Sequence, residues 1–156
     1  MRRYTNGVFA HPDGKAKFLA HEYEAPAEPA DERFPMILTT GRVRDQWHTM
    51  TRTGKIPVLM KREPEPFVEL HPDDAARFGI AEGEPVTVRS RRGHATAACR
   101  LTPTIKPGTC FMPFHWGSLR GAAVVNQATT EAFDPVSKQP ELKFCAVRVE
   151  KAKADD

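Results

Sequence analysis

No apolar run in this 156-residue chain approaches the length of a spanning helix, so a membrane segment is not expected. Cysteine is scarce: Cys99, Cys110 and Cys145 are odd in number and show no CxxC or Cys/His spacing, which leaves no basis for a disulfide framework, a zinc site or an iron–sulfur site. No metal ligand is therefore assigned. All three lie in apolar or β-like runs, where a buried, reduced thiol is the natural reading, and a reducing compartment, the cytoplasm, follows. There is also no run of Lys and Arg; the formal net charge of +3 permits an anionic partner without demanding nucleic acid. Arg2-Arg3 resembles the start of a twin-arginine signal, but Tyr4, Asn6, His11, Asp13 and Lys15 follow where an apolar core would stand, so export is not expected.

The chain has room for one domain with a real hydrophobic core. Residues 1–33 are rich in Pro, Gly, Ala and charge without periodicity, and read as a linker. Residues 34–38 form an apolar run bounded by Pro and Gly, a short buried strand. Residues 54–66, with three prolines and alternating charge, read as an extended surface connection. Residues 67–70 suggest a strand, and 71–79 a short helix with Pro72 at its first position, Asp73 and Asp74 in its first turn as dipole partners, and Gly79 as its stop. Alternating residues 85–90 and 94–101 flank an Arg91-Arg92-Gly93 hairpin turn, whose arginines are expected to be solvated. Residues 109–112 and 144–150 complete the strands, the last placing Cys145, Val147 and Val149 on one face. Many short strands, one evident helix and long loops argue a mainly β, closed or nearly closed barrel. The barrel domain is expected over 34–151, with 152–156 as a tail.

The stretch at residues 40–52 has no strand or helix periodicity, yet holds three arginines, Trp47, His48 and several hydroxyls just after Gly41. Arginine supplies planar charged donors for phosphate, strand-end amides accept anions, and Trp and His present flat faces and ring N–H groups. Two readings stand on the residues alone: a binding loop for a large, anionic, ring-containing ligand, or a solvated basic loop with its Trp in the core. Residues 113–118 again leave a strand into a loop carrying His115 and Trp116, and lead on to Asn126.

The string TTGRVRDQWHTMTRTG resembles the signature loop of the C-terminal molybdopterin-dinucleotide-binding domain in the dimethyl sulfoxide reductase family, and within it the nitrate reductases of assimilatory type. PEPFVELHPDDAARFGIAEGEPVTVRSRRG is similar to that family's middle and DPVSKQPELKFCAVRV to its ending, so the resemblance covers residues 34–150. It implies a six-stranded double-psi β-barrel with short helices, and a bis-molybdopterin guanine dinucleotide held by long loops. The implied cofactor-facing positions are Thr40, Gly41, Arg42, Val43, Arg44, Gln46, Trp47, His48 and Thr49 on the first loop, with Phe114, His115, Asn126 and Lys143 beyond it. The sequence departs from the family pattern at Val124-Val125 and at Ala128, where a larger apolar residue is expected.

The resemblance also implies partners. Preceding catalytic domains would carry the molybdenum ligand and the iron–sulfur cysteines, the linker would join them to this chain, and nitrate, a small oxyanion, would be the substrate. No catalytic residue is assigned here, and the chain alone is not expected to be active. The competing reading from another class is a free-standing module that stacks single-stranded nucleic acid on a small barrel; the same domain from a formate dehydrogenase-like enzyme is a further alternative. Both tryptophans, Trp47 and Trp116, are expected to be hydrated loop residues.

Overall fold

The computed structural model describes residues 2–119 and 124–153; the end of the expected tail, 154–156, lies outside them. Among the described residues there are six strands: β1 (Met36–Gly41), β2 (Phe67–Leu70), β3 (Pro85–Arg89), β4 (His94–Leu101), β5 (Thr109–Pro113) and β6 (Cys145–Lys151). They close into one barrel in the order β1-β5-β2-β4-β3-β6, with β1/β5 and β2/β4 parallel and the other four pairings antiparallel. The connection from β1 to β2 must pass β5, and that from β4 to β5 must pass β2. Such crossed connections make this a double-psi β-barrel. No helix is long and apolar enough to cross a membrane among the described residues.

The barrel interior explains the strand patterns. Along β1, Met36, Leu38 and Thr40 are buried and alternate with half-buried neighbours. Met36 and Leu38 fill one apolar core with Val68, Leu70, Val86, Val88, Cys110, Met112, Val147 and Val149. The cysteines are free and buried in it. Burial pushes the Cys99 thiol up to about 11 and that of Cys145 to about 11 as well, so neither is a thiolate near neutral pH.

α2 (Pro72–Phe78) begins at Pro72 and ends at Gly79, whose φ of 66° suits a residue without Cβ. Asp74 does more than complement a dipole: it is buried, and its carboxylate accepts the Gly108 N–H at 2.7 Å, tying the helix to the turn before β5. Two expectations need correction. Residues 54–66 are not wholly extended, because Pro57 starts a one-turn helix, α1 (Pro57–Met60), after a 3-10 turn at Thr53–Lys55. The hairpin arginines are not simply solvated either: Arg91 and Arg92 both pair with Glu28, in the segment ahead of the barrel.

Candidate functional site

β1 and β5 run parallel in register, Gly41 opposite Pro113, so their carboxyl ends meet at one rim. The loops that leave them are therefore neighbours although about seventy residues apart in sequence. The Phe114 N–H donates to the Gly41 carbonyl at 3.1 Å, which joins the first residues of the two loops. A Cβ at Gly41 would lie 2.8 Å from the Phe111 ring and 3.6 Å from Lys143 Nζ, so any other residue here would have to displace that ring. Lys143 reaches the same point, donating its ammonium to the Thr40 carbonyl, while the Thr40 hydroxyl donates to Leu142 O at 2.7 Å.

In the first loop the side chains alternate between floor and rim. Val43, Gln46 and Met50 turn inward and are buried, whereas Arg42, Arg44, Trp47, His48 and Thr49 are exposed. Among the described residues no carboxylate pairs with Arg42, Arg44 or Arg52; Asp45, the acid nearest in sequence, is bound to Arg62 at 2.9 Å. His48, Thr49 and Met50 all have positive φ, at 47°, 50° and 61°. Three consecutive left-handed residues without a glycine are strained, and such segments persist only where their surroundings hold them. Here the holding groups are fully buried Met50 and the His48 carbonyl, which accepts the Thr49 hydroxyl, the Thr51 hydroxyl and the Thr51 N–H.

In the second loop His115 is 1% exposed and its Nε2 accepts the Val43 N–H at 3.1 Å. A ring nitrogen that accepts carries no proton, so the neutral ring bears its hydrogen on Nδ1. That buried donor has no partner among the described residues, and Gln46 Oε1 and Thr53 Oγ1 are similarly unpaired. Burial, with the Arg42 charge second, holds the His115 pKa below its ordinary 6.5. Beside it opens a cleft of about 300 Å³ lined by residues that include Thr49, Phe114, His115, Trp116 and Asn126.

The rim thus brings together exposed Arg42, Arg44, Trp47, His48, Thr49 and Asn126, half-buried Phe114, and Lys143. It does not present Thr40, Val43 or Gln46, which are buried supports. Trp116 corrects the expectation for the pair of tryptophans: Trp47 is 43% exposed, but Trp116 is 3% exposed and packs with Val43, Met50 and Phe67. This satellite cluster, backed by Met60 and Phe111, is the floor of the site. Residues 43, 46 and 50 fall at intervals of three and four, a signal for it that the apolar pattern alone conceals because Gln46 is polar. At the departure from the family pattern, Val125 and Ala128 are both fully buried in the main core, so the small Ala128 sits beside an apolar Val125.

Such a barrel, with unpaired cations, aromatic faces and unsatisfied polar groups gathered on loops at one end, is a ligand-binding module suited to a large anionic molecule with rings. The chain belongs to the molydopterin dinucleotide binding domain family, whose model matches residues 36–146. It is 42% identical over 146 residues to a nitrate reductase of Symbiobacterium thermophilum, which covers 92% of this chain and 19% of that protein. It is 43% identical over 143 residues to an F420-dependent formate dehydrogenase subunit alpha of Methanocaldococcus jannaschii, again 92% of this chain and 21% of that one. The chain thus spans about a fifth of the length of the curated relatives it matches. In fold it is similar to acetylene hydratase from Pelobacter acetylenicus, with a TM-score of 0.71 at 19% identity, over 84% of this chain and 21% of that one.

The residues present fit a molybdopterin-type group. Arginines without carboxylate partners among the described residues suit its phosphates, and the exposed Trp47 ring and half-buried Phe114 ring suit its ring systems.

Proposed function

We propose that the paired loops form part of the wall around a bis-molybdopterin guanine dinucleotide, and that the chain is the C-terminal domain of a molybdenum-dependent nitrate reductase of assimilatory type, acting in the cytoplasm. The observation that carries this reading is the rim itself: parallel β1 and β5 end side by side, and exposed Arg42 and Arg44, with no carboxylate partner among the described residues, follow the end of β1. In this reading Arg42 and Arg44 hold phosphate oxygens, Trp47 and Phe114 lie against rings, and Thr49, Asn126 and Lys143 supply polar contacts. Thr40, Val43, Gln46 and His115 act one layer below, where the Val43 N–H and His115 Nε2 fix the two loops to each other. When bound, the group supplies redox chemistry at its molybdenum. This chain's part is to orient it and to exclude water from one side, while preceding domains provide the metal ligand and the iron–sulfur cluster. Residues 1–33 serve as the connection to those domains, and 34–151 as the binding domain.

The cytoplasmic assignment is supported by three buried, unpaired thiols. The substrate assignment has one specific rival, because the match to a formate dehydrogenase subunit is as strong as that to a nitrate reductase. In that reading the same wall serves formate oxidation. The single-stranded nucleic acid reading is disfavoured, since burial of Trp116 removes one of its two stacking rings.

The test uses the full-length parent. Arg42→Ala and Trp47→Ala are expected to lower molybdenum content, with Arg42→Ala lowering cofactor affinity about ten- to a hundredfold through loss of a charge-assisted contact. Lys61→Ala, exposed beyond α1, leaves it unchanged. Equal molybdenum in all three variants would remove the loop assignment.

A further inference from the structure

We infer that Arg92, with Glu28 as its counter-ion, is a positioning residue for the Asn126 side of the cleft. The inference rests on the reading above only in taking Asn126 as part of the rim.

Arg92 sits at the tip of the β3–β4 hairpin and reaches the later part of the loop that leaves β5. Its Nε donates to Thr129 O at 2.7 Å, and its Nη2 to Ala128 O at 3.3 Å and to Glu28 Oε2 at 2.7 Å. The guanidinium therefore bridges two consecutive carbonyls of one loop and a carboxylate of another segment, a task that needs several donors fixed in one plane. The Thr129 hydroxyl then donates to Asn126 O at 3.0 Å, and the Ala128 carbonyl also accepts Cys145 Sγ–H at 2.9 Å. Next to Arg92, Gly93 approaches so closely that a Cβ there would lie 2.7 Å from Gln127 O. The hairpin tip and the 3-10 turn Val125–Gln127 are thus pressed together with Arg92 as the clasp.

Glu28 is what keeps the clasp closed. It is 9% exposed and receives both Arg91 and Arg92. Arg91 adds a second hold, pairing with Asp31 and lying 4.6 Å above the Phe34 ring. The chain entering the barrel therefore connects to the far side of the site through a continuous set of contacts, Glu28 to Arg92 to Ala128 and Thr129 to Asn126.

The test is amide hydrogen exchange on the 156-residue chain, following the Gln127 and Ala128 N–H groups, which donate to Val124 O and Val125 O. Glu28→Gln, which changes no barrel residue, is expected to speed their exchange about tenfold, the effect of losing one charge-assisted hydrogen bond. Arg92→Lys keeps the charge but cannot span two carbonyls and a carboxylate, and is expected to do at least as much. In both variants the amides of β1, β5 and β6 keep their wild-type exchange. Unchanged exchange at Gln127 and Ala128, or an acceleration spread evenly over the barrel, would overturn the positioning role. Neither result depends on cofactor, so failure here is distinct from failure of the Arg42→Ala test.

Discussion

The two loops at the rim carry the same residue types and are treated oppositely by the fold. In the first, Trp47 and His48 face outward and the backbone is strained; in the second, His115 and Trp116 turn inward and form the floor. The difference lies in what each loop can reach. Val43, Met50 and Phe67 pack around the Trp116 indole, and the His115 ring next to it is fixed by the Val43 N–H. Once the second loop has filled that space, the first is left with its polar and aromatic groups toward solvent. A motif of His beside Trp therefore says that a ring is needed at the rim, but not whether it will serve as support or as contact.

The largest expected effect tests this division directly. Trp116→Ala should cost about 3–5 kcal/mol of unfolding free energy, as for a buried aromatic, whereas Trp47→Ala should cost well under that, near 1 kcal/mol or less. Urea titrations of the two variants make the comparison, and similar losses would erase the distinction between floor and rim. Fluorescence gives an independent check: the Trp47→Ala protein, left with Trp116, should emit to the blue and resist iodide, while the Trp116→Ala protein should not.

The histidines sharpen the comparison next. His115 accepts from the Val43 N–H, so protonating that nitrogen would set two donors against each other in a buried place. With its pKa held below 6.5 by burial and then by Arg42, folded His115 binds fewer protons than the unfolded chain between its lowered value and 6.5. Stability contributed by the neutral ring is complete above that window and is lost as pH falls through it. Thermal melts between about pH 7 and 5 should therefore show an acid-side loss. His115→Gln should flatten that part of the profile, and His48→Gln should leave it as it is. An acid loss unchanged in His115→Gln would assign it to other groups.

The barrel was largely legible in the sequence because its strands obey local rules. Alternation along Met36 to Thr40, the Arg91-Arg92-Gly93 turn, and the Pro72 to Gly79 helix each follow from residues close to one another, whereas along β3 polar Thr87 is buried together with Val86 and Val88 and does not alternate with them. The rim was legible only as composition. That Trp116 is floor depends on Phe67 and Met50, and that Arg92 is clasped depends on Glu28, 64 residues away. Closing the barrel and setting β5 beside β1 creates these contacts, so no local window contains them. The one-turn helix at Pro57 was missed for another reason: proline reads as a sign of extension, and its equal fitness for a first helical position was outweighed by the prolines around it.

The smallest expected effect concerns the strain that only the first loop carries. A left-handed conformation costs a residue with a Cβ about 1–2 kcal/mol, and glycine escapes this while losing about 0.5–1 kcal/mol more backbone entropy on folding. At His48, with φ of 47° and an exposed side chain, the first term should win. The carbonyl that Thr49 and Thr51 grip is kept in the variant, so His48→Gly should gain about half a kcal/mol. Thr49→Gly should gain less, because it also removes the hydroxyl that donates to that carbonyl at 2.7 Å. In the second loop no residue of 114–119 has positive φ, so Ser118→Gly should lose a few tenths of a kcal/mol through the unfolded chain alone. Opposite signs for His48→Gly and Ser118→Gly in matched denaturation curves would show that the strain belongs to the first loop. Equal losses would mean that the turn at His48–Met50 relaxes in solution and that its groups are not held ready for a ligand.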